Sequence, residues 1–117
     1  MSATGHTLPK SERLSGQKAT GTLLREGRYV TSGCLRICYR EGESVSRIMV
    51  SVPKKLFKRA VRRNLLKRRI RESYRLQKEI LERPLDILFI YTSPEVLPSE
   101  TIFKAVGEGL KLAAAGR

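Results

Sequence analysis

Asn64, Lys67, Arg68, Arg71 and Arg75 recur at the i, i+3, i+4, i+7 and i+11 spacing of a single helix face. Arginine dominates the set, and its planar fork of donors suits bidentate contact with phosphate. Asn64 adds no charge but offers a donor and an acceptor, which fits a base edge or a 2′-hydroxyl; the residues alone leave a local capping or surface role equally open. Like charges at i, i+4 repel by a few tenths of a kcal/mol per pair. A phosphate backbone would turn that repulsion into attraction and release counterions. An ordinary solvated face mixes Glu with Lys, and this one does not.

The stripe lies in the densest run of charge in the chain. Residues 54–78 hold 12 basic residues and one acid, Glu72, a net +11. The remaining residues hold 12 basic and 10 acidic side chains, only +2 of the total +13. Such a balance in 117 residues points to a polyanionic partner, nucleic acid first and an anionic membrane surface second. No stretch approaches the roughly 20 apolar residues of a membrane span. Residues 1–10 lack the apolar centre of a signal peptide and read as a flexible polar arm, so a cytoplasmic location is expected. His6, the only histidine, falls in that arm. Cys34 and Cys38 would stand roughly 13 Å apart along a strand, too far for a disulfide, and no zinc ligand set accompanies them. Both thiols are expected to be reduced and structural. No His–carboxylate pair or carboxylate cluster suited to hydrolysis is present, and no protein-bound metal is expected.

The elements that must carry the stripe follow from periodicity. A helix is expected from near Ser15 to Gly27, with Gly27 suited to a left-handed cap. Leu35, Ile37 and Tyr39 alternate with Cys34, Arg36, Cys38 and Arg40 as a half-buried strand; a turn at residues 41–44 and a second strand at 46–52 suggest an antiparallel hairpin, ended by Pro53. From Arg59 to about Leu81 the period is helical, and Leu66, Ile70, Ser73, Tyr74, Gln77, Ile80 and Leu81 form the buried side. The run Leu85 to Tyr91 is apolar throughout, the mark of a strand in the middle of a sheet. Ser99 is placed to cap a last helix with Ile102, Phe103, Val106 and Leu110 inward, and residues 113–117 are expected to fray. One α+β domain over residues 11–112 accommodates every apolar face.

Ser51-Val52-Pro53-Lys54-Lys55, followed by Arg59-Ala60-Val61-Arg62-Arg63-Asn64-Leu65-Leu66-Lys67-Arg68-Arg69-Ile70-Arg71-Glu72, resembles the signature of the bacterial ribonuclease P protein component. Arg13-Leu14, Glu26-Gly27 and the apolar strand at 86–91 extend the likeness over most of the chain. The resemblance implies an αβββαβα fold of the ribosomal protein S5 domain 2 type. It adds a short strand near residues 29–31, and makes the strands at 46 and 86 parallel, joined by a left-handed crossover through the basic helix. It implies an accessory subunit of an endoribonuclease that removes the 5′ leader of precursor tRNA, with the chemistry and its Mg²⁺ belonging to ribonuclease P RNA. By the motif match, Arg63, Asn64, Lys67, Arg68 and Arg71 should face that RNA, supported by Lys54 and Lys55; Arg59, Arg62 and Arg75 complete the expected RNA-binding set. The leader is expected between the first helix and the open sheet face, at Thr20, Leu24, Arg36 and Cys38. None of these is aromatic, and for each a plain packing role stays open beside the binding one. Tyr39 is expected on the opposite face.

Three rivals compete with this reading. A different RNA-binding protein of the same fold would lack the ordered string from Arg63 to Glu72. A duplex-DNA binder would leave its groove helix free on several sides, whereas this helix has a buried stripe. A protein-only nuclease would want acidic metal ligands. Neither DNA nor membrane is an expected partner.

Overall fold

The computed structural model describes residues 12–14 and 16–116. The expected arm at 1–10 with His6, the expected helix start at Ser15, and Arg117 lie outside them. The element order is α1 (Gln17–Glu26), β1 (Arg28–Ser32), β2 (Leu35–Glu41), β3 (Arg47–Ser51), α2 (Ala60–Gln77), a 3₁₀ turn (Lys78–Ile80), β4 (Leu85–Tyr91) and α3 (Ser99–Ala115). This is the expected α+β, αβββαβα order.

The four strands form one mixed sheet in the order β1-β2-β4-β3. β1 pairs with β2 and β2 with β4 antiparallel, while β3 and β4 run parallel, with Ile48 opposite Ile87 and Val50 opposite Phe89. The expected hairpin between the strands at 34–40 and 46–52 is therefore wrong: β4 lies between them. Leu85 to Phe89 are all buried, so this strand needs cover on both faces and a neighbour on both edges, which the sheet centre supplies. β3 and β4 are joined through α2.

α2 and α3 cover one face. Their core includes Leu35, Ile37 and Tyr39 of β2, Val50 of β3, Ile87 and Phe89 of β4, Leu66, Ile70 and Tyr74 of α2, and Ile102, Val106 and Leu110 of α3. Tyr39 thus faces this core, as expected. Gln77 packs so closely on α3 that a Cβ on Gly107 would fall 2.2 Å from its Oε1, and the amide donates to the carbonyls of Ser73 and Phe103. α1 lies on the other face, where Leu14, Leu23, Cys38 and Leu88 form a second, smaller core.

Four local expectations need correction. Phe103, expected inward on α3, is 41% exposed, while Ile102, Val106 and Leu110 are buried. Gly27 ends α1 in an extended conformation (φ −78°), not a left-handed one. Glycine is needed for close approach, because a Cβ there would meet the Leu23 carbonyl at 2.5 Å and the Cys38 thiol at 2.6 Å. Ser99 is the first helical residue of α3, not its cap; Pro98 takes the N-cap place, and its carbonyl accepts from Ile102 N–H at 3.2 Å. The tail expected to fray from Ala113 stays helical to Ala115, with Ala113 buried and Arg83 donating to the carbonyls of Ala113, Ala114 and Gly116.

Candidate nucleic-acid interface

α2 is held from three sides, which leaves one face to solvent. Leu66 and Ile70 have no exposed surface, and Tyr74 packs on Phe89 with ring centroids 6.2 Å apart. Arg69 points away from the stripe and donates to the Leu97 carbonyl at 2.5 Å, tying the helix to the loop before α3. Residues 12–14 run along β3: Leu14 N–H donates to the Ile48 carbonyl at 2.7 Å, and Glu12 accepts from Lys78 Nζ at 2.9 Å.

The free face carries the expected stripe. Asn64, Arg68 and Arg71 are exposed and Lys67 is half-buried. Arg59 takes the N-cap place, so Asn64 lies inside the helix and does not cap it. Among the described residues, none of Lys67, Arg68 and Arg71 forms an ion pair. Arg71 is solvent-open overall, yet its guanidinium is desolvated enough to lower its pKa, with the charge of Arg13 as the second cause. Arg13 therefore extends the positive surface onto the segment beside β3. The approach of Arg13 to α2 depends on its pairing with β3, which local spacing does not disclose.

Other members of the set do different work. Arg63 turns back to the helix start, where its Nη1 donates to the Phe57 carbonyl at 2.7 Å and the Lys58 carbonyl at 2.9 Å. Arg75 is paired with Glu72 one turn earlier, which raises the Arg75 pKa and removes part of its charge from the stripe. Arg62 is exposed but projects about 160° round the axis from Asn64, so it widens the positive surface rather than lengthening the row. Lys54 and Lys55 are exposed in the turn after β3, and Arg59 is exposed at the helix start.

The opposite sheet face forms a cleft beside α1. Thr20 is half-buried: its hydroxyl bonds the Gly16 carbonyl at 2.9 Å and lies 3.4 Å from Met49 Sδ. Leu24 is 43% exposed. Arg36 is exposed on β2. Cys38, expected as a contact residue, has no exposed surface; α1 covers it, burial pushes its thiol pKa up, and the thiol donates to the Leu23 carbonyl at 3.3 Å. Both cysteines are free and buried. An aromatic outside the expected set reaches the cleft. Tyr29 of β1 stands directly across from Cys38 and is 42% exposed. The Arg36 guanidinium lies 4.7 Å from its ring centroid.

Fold and surface together define a small α+β domain with one cationic helix face turned to solvent. A family model, Ribonuclease P, matches residues 8–113. The ribonuclease P protein component of Porphyromonas gingivalis is 38% identical over 114 residues, covering 88% of this chain and 83% of that one. That of Dictyoglomus thermophilum is 42% identical over 97 residues, covering 82% and 76%. The Staphylococcus aureus RNase P protein superposes with a TM-score of 0.79 at 26% identity, over 89% of this chain and 96% of that one. The Thermotoga maritima protein gives 0.77 at 26% identity, over 86% and 96%. The chain belongs to the bacterial ribonuclease P protein component family, and its function is that of the protein subunit of ribonuclease P.

Proposed function

We propose that the open face of α2 docks on ribonuclease P RNA, and that the cleft beside α1 holds the 5′ leader of precursor tRNA while the RNA subunit cleaves it. The observation that carries this is the row Asn64, Lys67, Arg68 and Arg71, solvent-facing and free of ion pairs among the described residues, with the Arg13 charge beside Arg71. Arg68 and Arg71 would grip phosphates, and Asn64 would read a 2′-hydroxyl or base edge. Lys54, Lys55, Arg59 and Arg62 would continue the contact around the helix start. Arg63 would act mainly by fixing that start.

The leader, held on one side of the sheet, and the ribozyme, held by a helix on the other, would be brought into a fixed relation by a rigid domain. Such positioning lowers the entropic part of the barrier without any chemistry by the protein. As the family resemblance implies, magnesium would belong to the RNA subunit, where it would stabilise charge at the displaced phosphodiester oxygens. Duplex DNA is disfavoured as a partner because the buried side of α2 is committed to the sheet. No described helix is long and apolar enough to cross a membrane, and the proposed work is cytoplasmic.

Reconstitution with ribonuclease P RNA tests the proposal. The protein should raise precursor tRNA cleavage at low Mg²⁺ and add no cleavage without the RNA. No gain over RNA alone, or cleavage that follows the RNA-free protein through purification, would sink it.

A further inference from the structure

Between the exposed sides of α2 and α3 runs a groove of about 960 Å³, within the range of ligand sites. Leu65 and Leu76 of α2 and Phe103 of α3 supply its apolar surface, and Arg68, Glu72 and Glu100 stand along it. Leu76 is 56% and Phe103 41% exposed, so the fold leaves apolar side chains in water there. Contiguous surface of this kind marks a binding site. The two helices are fastened to one another before any guest arrives. Arg69 donates to the Leu97 carbonyl just ahead of α3, and the Gln77 amide donates to the Phe103 carbonyl at 2.9 Å. A guest therefore pays little to order the walls.

Two observations say what the guest is. The first is continuity, because Arg68 belongs both to the cationic row and to the groove. Leu65 and Leu76 project about 60–80° round the axis from it. A phosphate gripped by Arg68 thus carries its own sugar and base to the edge of the apolar walls. The second is charge. Among the described residues, Arg68 and Glu100 form no ion pair, while Glu72 is engaged by Arg75. Arg68 suits an anion, and the Glu100 carboxylate suits an N–H donor. An anionic group joined to a flat body with N–H donors on its edge is a nucleotide.

We propose that the groove between α2 and α3 takes one unstacked base of ribonuclease P RNA, laid on Phe103 against Leu65 and Leu76, while Arg68 holds that nucleotide's phosphate. This rests on the reading of α2 as the helix that docks on that RNA. Stacking on Phe103 alone would accept any base, because every base has a π-face. Glu100 adds selectivity, since adenine, cytosine and guanine carry an exocyclic amino group to donate and uracil does not.

The test is the affinity of the full chain for ribonuclease P RNA, titrated at several salt concentrations. Phe103→Ala should weaken binding roughly 5- to 100-fold. The salt slope should stay the same, because a base contact releases no counterion. Phe103→Tyr keeps the ring and should bind like the unmodified protein. Leu76→Ala removes apolar surface from the opposite helix and should weaken binding in the same direction. One abasic position within the footprint of α2 should reproduce the Phe103→Ala loss, and the two losses should not add. The proposal is overturned if Phe103→Ala and Leu76→Ala bind with full affinity, the result expected of a groove that serves a protein partner instead. It is equally overturned if Phe103→Tyr loses as much as Phe103→Ala, or if abasic losses at every position add fully to it. Full affinity in the Arg68→Ala, Arg71→Ala double variant would overturn the docking of α2 itself, and this proposal with it; a loss there without one in the groove variants would overturn this proposal alone.

Discussion

The Arg63 guanidinium donates to the Phe57 carbonyl at 2.7 Å, so one arginine of the basic motif is spent on the fold. Phe57 is itself buried and packs 6.0 Å from Tyr91, centroid to centroid, so the bond pins the start of α2 to the core. Arg63→Ala should cost about 1–2 kcal/mol of stability, as expected for charge-assisted bonds to partly exposed carbonyls. Arg68→Ala should leave stability unchanged. Urea unfolding of the two variants separates these roles; equal midpoints would show that Arg63 has no anchoring function.

Arg68 and Arg71 face solvent, and their effect should be on binding. Each alanine variant should weaken affinity for ribonuclease P RNA and lower the salt slope of log K by about one or less. Arg13→Ala should act in the same direction although it lies outside the helix, and by removing a like charge from Arg71 it should not destabilise the free protein. Binding titrations at several salt concentrations read all three. An unchanged slope takes that residue out of the interface.

Leu66 and Ile70 lie on the other side of the same helix and have no exposed surface. Truncating either to alanine should destabilise the fold by roughly 2–5 kcal/mol. Wild-type stability in both variants would mean that the helix faces are exchanged.

Tyr74 is held protonated: burial, then the Glu12 charge, push its pKa up to about 12, against an opposing hydrogen bond from Ser46. The folded chain favours the neutral phenol. Stability from this residue is therefore intact below about pH 10, the ordinary tyrosine value, and is lost as pH rises toward about 12. The loss attributable to Tyr74 is roughly 2–3 kcal/mol. Tyr74→Phe should flatten the alkaline limb of the stability curve by that amount; parallel curves for the two proteins would refute it.

The stripe on α2 could be read from the sequence because a helix converts spacing into direction with no help from the rest of the chain. The central place of β4 was legible for a similar reason, since an apolar run from Leu85 demands two covered faces. The hairpin expected between β2 and β3 does not form, although adjacent alternating strands with a turn between them look like a local pair. What separates them is a strand some 40 residues away in sequence, and no local pattern announces that. The same distance hid Tyr29: its face is set by the register that places it opposite Cys38. Arg63 and Arg75 both matched the basic motif, yet their side chains are drawn to the Phe57 carbonyl and to Glu72, which spacing alone does not disclose.

A hydroxyl-radical footprint on ribonuclease P RNA tests the central claim most directly, with unmodified protein compared with the Arg68→Ala, Arg71→Ala double variant. Unmodified protein should protect a bounded patch of that RNA, and the variant, folded to the same stability, should lose that protection at the same concentration. Protection that persists unchanged in the variant would show that the RNA docks elsewhere on the domain.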